Sequence, residues 1–559
     1  MNTQTVPAPR ATAAATPDTD WWRSAVIYEV YVRSFADADG DGTGDLAGVR
    51  SRLGYLKDLG VDALWFTPWY PSPLADGGYD VSDYRAINPA FGDLAEAEAL
   101  IAEALALGIR TIIDIVPNHV SNEHPWFREA LAAAPGSPAR ERFWFREGRG
   151  EHGELPPTDW VSNFGGPTWT RTTNPDGTPG EWYLHLFAPE QPDLNWDHPE
   201  TRREHESILR FWFDRGVAGV RIDSAALLVK DATLPEVPEN PAPGQHPNTD
   251  RDELHDIYRS WRAIADGYEG TRVLVGEIWL PDAERFANYL RPDEMHTAFN
   301  FDFMSRAWNA EQLRTSIDTM LAAHAPVGAP STWVLSNHDV TRPVTRYGRA
   351  DSTFAFAGKR FGTPTDLASG TRRARAAALL TAALPGSLYL YQGDELGLPE
   401  VEDIPRHLLT DPMHHRSGGV DPGRDGCRVP LPWSGDHPPY GFSAPVGTTP
   451  APRTWLPQPQ GWERLTVEAQ ERDPHSMLSL YRAALRLRTN DSDLGDGSLE
   501  WLPSAPGVLA FSRGDVVCVT NFGSSPAALP AHSAVLLASA DLEGDRLPCD
   551  ATVWLRPPH

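Results

Sequence analysis

The stretch RREHESILRFWFDRGVAGVRID, residues 202–223, decides the fold. Arg202–Arg215 reads as a helix, and Gly216 is its stop. A short apolar run, Val217–Asp223, follows and ends on a carboxylate. A helix, a glycine and a buried strand in that order make one unit of an alternating α/β chain. The same unit recurs on both sides. Candidate strands lie at Ile27–Phe35, Ala63–Thr67, Thr111–Val116, Val217–Asp223, Val273–Ile278, Thr297–Phe301, Trp333–Asn337 and Ser387–Tyr391. Leu94–Leu107 is a second clear helix, stopped by Gly108. Eight strands with helices between them are what a closed (β/α)8 TIM barrel requires.

Two regions break the alternation. Pro117 to Pro199 is rich in Gly, Pro and Trp, with too few helical patterns for another βα unit. It is expected to be a subdomain inserted after strand 3. Glu402 to Pro459 is Pro-rich and loop-like, and is expected to lie over the same C-terminal face. After Pro474 the pattern becomes a helix, Ser476–Arg488, then short strands at Val508–Ser512, Val516–Asn521 and Ala534–Leu537. These form an expected C-terminal antiparallel β-sandwich domain. The boundaries that follow are a disordered leader over 1–20, a barrel over 21–117 and 200–474, a subdomain over 118–199 and a C-terminal domain over 475–559.

The formal charge of the 559 residues is -27. Nucleic acid and anionic membranes both need a basic face, so neither is expected as a partner. Lys57, Lys230 and Lys359 are the three lysines, against many arginines, and carry no functional reading. Cys427, Cys518 and Cys549 are odd in number and lack metal-ligand spacing. No disulfide framework is expected, which fits a reducing, cytoplasmic location. No signal peptide and no run of 18 apolar residues is present. A monomer or a homodimer is the expected assembly.

Barrels of this kind carry their chemistry at the C-terminal ends of the strands. Those ends read Asp114-Ile-Val-Pro-Asn118-His119, Gly219-Val-Arg221-Ile-Asp223, Gly276-Glu277-Ile-Trp279 and Ser336-Asn337-His338-Asp339, followed by Arg342. Any one alone could be an ion pair at a strand end. Together they bring four carboxylates, two histidines and two arginines to one rim. Glycoside cleavage uses such a set. Its oxocarbenium-like transition state needs a carboxylate on one face and a protonated carboxyl at the leaving oxygen. Arg221 stands two residues before Asp223 and points to the same side, so it can hold Asp223 ionised. Glu277 lies beside an apolar Ile-Trp pair, and desolvation there would raise its pKa as a general acid requires. Asp339 can bind sugar hydroxyls and add negative potential to a cationic ring.

The segments DIVPNH, GVRIDSA, GEIW and SNHD resemble the four signature regions of glycoside hydrolase family 13, the α-amylase family. QPDLNW (Gln191–Trp196) resembles a further region of its α-glucosidase and oligo-1,6-glucosidase branch. The resemblance runs from Trp21 onward. It implies Asp223 as nucleophile, Glu277 as acid/base and Asp339 as transition-state stabiliser. It also implies His119, Arg221 and His338 around the glucose unit at the cleaved end. By the same resemblance Asp80 and Arg342 close the pocket behind the non-reducing glucose, and Tyr79, Phe164 and Phe187 line it. A pocket closed in this way implies exo action on short α-glucosides.

A second motif is Asp37-Ala-Asp39-Gly-Asp41-Gly-Thr43-Gly-Asp45. Its alternating oxygens form a cage for a hard cation, although Gly48 stands where an EF-hand loop has Glu. In the resembling branch this segment binds Ca²⁺ or Mg²⁺ in a structural role. No cofactor is expected for catalysis. Ser224 follows the nucleophile, where the branch usually carries Val for α-1,6 or Thr for α-1,4 bonds. Its hydroxyl and small size point to maltose-like α-1,4 substrates. The expected function is therefore a retaining α-glucosidase with transglucosylation as a side activity. The alternative is a trehalose synthase or a sucrose-active transglucosylase or isomerase on the same scaffold. A transporter-associated subunit is a third reading, opposed by the complete triad and the lack of an anchor.

Overall fold

The computed structural model describes residues 19–174, 176–355, 361–444 and 453–558. All but the last two residues of the expected leader over 1–20 lie outside them. Eight parallel strands form one sheet: β1 (Val26–Val30), β2 (Ala63–Phe66), β3 (Arg110–Ile115), β4 (Gly219–Ile222), β5 (Val273–Gly276), β6 (Thr297–Ala298), β7 (Thr332–Val334) and β8 (Ser387–Tyr391). Their order is β7-β8-β1-β2-β3-β4-β5-β6, so the ladder runs around a TIM barrel with one seam between β6 and β7. A side chain bridges that seam. The Thr332 hydroxyl donates to Ala298 O at 2.5 Å and accepts from Asn300 N at 3.1 Å. Each of the eight anticipated strands is present. The first is shorter than expected, because a 3-10 turn at Val32–Ser34 replaces its second half.

Helix signals read from the sequence mark real ends. The helix Leu94–Ala106 begins where the Asp93 carboxylate accepts from Glu96 N, and stops before Gly108 at φ +78°. The helix Pro199–Phe213 stops before Gly216 at φ +90°. Glycine is needed at both positions, since a left-handed residue there lets the chain turn into the next strand.

Strand alternation then sorts the core into two layers. Ile27, Trp65, Ile112, Val273, Val275, Val334 and Tyr389 share one buried cluster inside the barrel. Val26, Tyr28, Leu64, Ile113, Val220, Ile222 and Leu274 belong to the larger layer shared with the helices. Glu29, Asp114 and Arg221 share the parity of the inner layer, two residues beyond Ile27, Ile112 and Gly219. One more step of two places Asp223 and Glu277 above it. The period of the strand thus aims a charged column at the C-terminal mouth.

Between β3 and β4 lies a three-stranded antiparallel sheet of Phe145–Arg146, Trp169–Thr173 and Pro179–Leu184, with Pro179–Leu184 central. At the C-terminus, Glu500–Trp501, Val508–Arg513, Val516–Asn521, Ala551–Arg556 and Ala534–Ala538 form a five-stranded antiparallel sheet in that spatial order. A two-stranded ribbon, Ala527–Ala528 with Arg546–Leu547, sits against its core. The sheet docks on the barrel helix Leu367–Ala383 through Trp554 Nε1 to Leu379 O (3.1 Å) and Thr552 Oγ1 to Ala376 O (2.8 Å). Among the described residues no helix is long and apolar enough to cross a membrane.

Candidate active site

A cavity of about 420 Å³ opens at the C-terminal mouth of the barrel. Four carboxylates reach it: Asp76, Asp223, Glu277 and Asp339. Tyr79, His119, Phe164, Phe187 and Ser224 also line it. Arg221 and His338 lie just beneath, both 1% exposed.

Arg221 organises the floor. Its Nη1 donates to Asp223 Oδ1 at 2.7 Å and to Asp114 Oδ1 at 3.0 Å, and its Nη2 lies 3.6 Å from Glu277 Oε2. One guanidinium therefore sits between the two carboxyls that the chemistry needs. Asp114 is held in turn by Tyr79 Oη at 2.9 Å and Trp65 Nε1 at 3.3 Å. Glu277 accepts from Ser224 N and from Trp279 Nε1, both at 2.6 Å. Ser224 aims its N–H this way because its backbone is left-handed, at φ +47°, a costly conformation for a residue with a Cβ.

Burial sets different proton affinities for these groups. It pushes Glu277 up to about 7, with Arg221 opposing and the Asp223 charge adding to the rise. Burial also raises Asp223 above the ordinary aspartate value, and Arg221 restrains that rise. Burial works against the Asp339 charge too, but there it loses. His338 Nε2, 3.4 Å from Asp339 Oδ1, and the donors Arg424 Nη1 at 3.0 Å and Arg428 Nη2 at 2.9 Å together hold this carboxyl below the usual range. His338 is held neutral by burial. Its Nδ1 meets Glu29 Oε1 at 2.5 Å, and its ring stacks on Tyr79 at 5.2 Å between centroids and 9° between planes. His119 is pushed down to about 4 by burial and bonds Gln191 Nε2 at 3.0 Å.

Two sequence assignments are corrected. Asp80 and Arg342 do not close the pocket. Asp80 is fully buried and its carboxylate accepts from Ala75 N (2.9 Å) and Asp76 N (3.1 Å). Gly77 and Gly78, at φ +60° and +110°, reverse the chain there, so Asp80 folds back to tie the turn while Asp76 faces the cavity. Arg342 runs under the rim to Gln392 O (3.0 Å) and Cys427 O (2.8 Å). The pair at the pocket wall is Asp76 with Arg424, whose Nη2 donates to Asp76 Oδ1 at 2.5 Å. Arg424 also holds Asp411 Oδ2 through Nε at 2.6 Å.

Sequence reasoning missed Asp76, Arg424, Arg428, Glu29, Asn163, Ala226, Leu227, Thr249 and Met413 as site groups. A signal existed for the first three. Asp76 precedes a Gly-Gly turn, and Arg424 and Arg428 stand four residues apart in the stretch Arg424-Asp-Gly-Cys-Arg428. Thr249 comes from a long loop and Met413 from the five-residue helix Pro412–Arg416, too short for a period to mark a direction.

Of the anticipated cation ligands, Asp37, Asp39 and Asp45 offer carboxylate oxygens within 4.8 Å of one another. Asp41 stands outside that group and accepts from Thr43 N at 2.7 Å. Burial, then the other carboxylates nearby, raises Asp39 and Asp45, although amide donors from the same loop oppose the rise. An all-oxygen set with competing negative charges suits a hard cation.

The family model described as "Alpha amylase, catalytic domain" matches residues 29–497. A probable alpha-glucosidase of Rhizobium meliloti (strain 1021) is 35% identical over 536 residues, covering 91% of each chain. The solved structure of the alpha-glucosyl transfer enzyme XgtA superposes with a TM-score of 0.82 at 34% identity, covering 97% of this chain and 100% of that one. An isomaltulose synthase mutant from Erwinia rhapontici NX5, solved with sucrose, gives a TM-score of 0.82 at 28% identity, covering 96% of this chain and 99% of that one.

Proposed function

The chain belongs to the alpha-amylase family of glycoside hydrolases, and from that membership we propose that it is a retaining α-glucosidase releasing glucose from the non-reducing end of short α-glucosides. The observation that carries this reading is the shared guanidinium of Arg221 between Asp223 and Glu277, with Glu277 raised to about 7 by burial. Asp223 attacks the anomeric carbon, and Glu277 delivers its proton to the leaving oxygen. Water then enters, and Glu277 takes a proton back as Asp223 is released. Asp339, kept anionic by Arg424 and Arg428, faces the cationic ring and its hydroxyls. Asp76, Arg424, Tyr79, His119 and Phe164 wall the glucose and favour exo action. Ser224 supports maltose-like α-1,4 linkages. A small-molecule glucoside is the partner, and three unpaired cysteines fit a cytoplasmic setting.

The test is one set of measurements on maltose. The first product is expected to be α-glucose. Maltose is expected to be cleaved faster than isomaltose. The rate is expected to fall above about pH 7 as Glu277 loses its proton. A β-glucose product, or an alkaline limb unmoved by Glu277→Gln, sinks the reading. Likeness to an alpha-glucosyl transfer enzyme and to an isomaltulose synthase supports the second reading, a transferase or sucrose isomerase. Trehalose accumulating from maltose, or isomaltulose from sucrose, would establish it.

The Asp37–Asp45 loop is proposed to hold a structural Ca²⁺ or Mg²⁺ through Asp37, Asp39 and Asp45, with Asp41 and Thr43 adding oxygens once the ion is bound. The ion would tie the loop after β1 to the segment at Ser443, which Asp37 already bridges. Chelation is expected to release about one divalent ion per chain and to lower the unfolding midpoint by a few degrees, with kcat unchanged below the transition. A midpoint indifferent to chelator removes this site.

A further inference from the structure

We propose that a second cavity, across the segment after β3 from the active site, binds a neutral polyhydroxylated molecule of monosaccharide size, such as glucose. Its volume is about 270 Å³, against about 420 Å³ for the active-site cavity. The two linings share no residue, so this site does not rest on the α-glucosidase reading. They meet at adjacent positions, His119 in the active site and Val120 in the second cavity. Tyr84, which lines the second cavity, is tied to the same segment through its Oη to Val116 O at 2.6 Å.

Two histidines set the chemistry of this cavity. His205, 2% exposed, stands on the helix Pro199–Phe213. Its ring is fixed among Trp196, Tyr84 and Trp261, at 4.7, 6.1 and 6.3 Å between centroids. Its Nδ1 turns back one helical turn to Thr201 O at 2.9 Å. A carbonyl only accepts, so Nδ1 carries the proton and Nε2 the lone pair. That Nε2 lies at the far edge of the ring, on the cavity side, buried and without a hydrogen-bond partner. His124 has the opposite tautomer. Its Nδ1 accepts from Trp126 N at 3.2 Å, at the start of the helix Pro125–Ala132, so its Nε2 carries the proton. Burial pushes both rings down to about 4, and both are neutral at pH 7. The cavity therefore offers one uncharged acceptor and one uncharged donor.

A hydroxyl both donates and accepts, and a sugar diol can meet both histidines at once. A buried acceptor without a partner is costly, and a ligand hydroxyl relieves that cost at His205. The half-buried Trp126 and the ring of Tyr84 supply the aromatic surface on which a pyranose C–H face packs. Ions suit the lining less well. Its one arginine, Arg85, is held by Glu204 Oε1 at 2.5 Å and Ser207 Oγ at 3.0 Å, and Asp83 adds a second carboxylate. An anion would meet excess acid. A transition metal would find a single histidine lone pair, because His124 Nε2 is protonated.

The experiment is saturation-transfer NMR of glucose on the full-length enzyme, alone and with the active site filled by a saturating iminosugar. The glucose signal is expected to persist under the inhibitor. His205→Phe keeps the ring packing and removes the acceptor, and is expected to weaken the persisting binding by about tenfold, the loss of one buried hydrogen bond. Trp126→Ala is expected to weaken it by a similar factor. It leaves the buried ring cluster intact, so it decides the matter if His205→Phe fails to fold. Both variants are expected to keep the parent kcat/KM on maltose. Glucose 6-phosphate is expected to bind at least about tenfold more weakly than glucose. Displacement of all bound glucose by the iminosugar overturns the site. Binding unchanged in the folded variants overturns it too, as does a phosphorylated sugar held as tightly as glucose.

Discussion

Asp223→Asn is expected to lower kcat on maltose by about 100,000-fold, which is about 7 kcal/mol of lost transition-state stabilisation. The substitution keeps the shape and the hydrogen-bonding reach of the side chain. It removes the charge that faces the developing cation, and it replaces an oxygen nucleophile with an amide. Fold and binding are expected to survive. Arg221 retains Asp114 at 3.0 Å and Glu277 at 3.6 Å, so its charge is still compensated. The unfolding midpoint should therefore move little, and KM should stay within a few fold. Single-turnover kinetics with an aryl glucoside and mass spectrometry of the quenched enzyme provide the check. A variant within 100-fold of the parent, or one that still forms a glycosyl-enzyme, removes Asp223 from the nucleophile's role.

Arg424→Ala is expected to cost about 1,000-fold in kcat/KM and about 3–5 kcal/mol of stability, the usual cost of removing one partner from a buried ion pair. Arg424 meets Asp76, Asp339 and Asp411 at 2.5, 3.0 and 2.6 Å. Burial pushes Asp76 up to about 7 even beside this guanidinium. Without it, Asp76 is expected to be protonated at neutral pH and to lose its grip on a sugar hydroxyl. Arg428 still reaches Asp339 at 2.9 Å, so the stabilising carboxylate keeps one cation. Arg424→Lys restores a charge but not a fork with three directions, and is expected to recover stability better than activity. Thermal unfolding and the split between KM and kcat measure these separately. If Arg424→Ala alters neither KM nor stability, the pocket is not closed by this pair.

The site could be read from the sequence to different depths at different residues, for physical reasons. Asp223, Glu277 and Asp339 lie at or just past strand ends. Asp223 and Glu277 directly follow short apolar strands and carry their inner parity into the mouth, while Asp339 stands five residues past Val334, the end of β7. Tyr79, His119, Phe164, Phe187 and Ser224 also reach the cavity where expected. The misassignment of Asp80 for Asp76 arose in a turn. Two left-handed glycines change the direction of the chain between the two aspartates, and no strand or helix period carries across such a reversal. Arg342 is likewise turned away from the cavity by contacts that no local pattern carries. It caps the helix Pro343–Tyr347, and its guanidinium satisfies carbonyls of Gln392 and Cys427 that are far away in sequence. Arg424 was hidden for the opposite reason. It sits in a long loop whose position depends on the acids it pairs with.

Local pattern determined the barrel, its eight strands, the segment inserted between β3 and β4 and which carboxyls stand at or beyond the strand ends. Those features depend on periods of two and 3.6 residues and on glycine stops, which neighbouring residues impose on one another. Tertiary structure alone decided which charges meet. The seam closed by Thr332, the sharing of Arg221 by Asp114 and Glu277, and the pairing of Asp76 with Arg424 each join segments 34 to 348 residues apart. Ion pairing and desolvation act across space, and their partners are chosen by the packing that brings the loops over the mouth of the barrel.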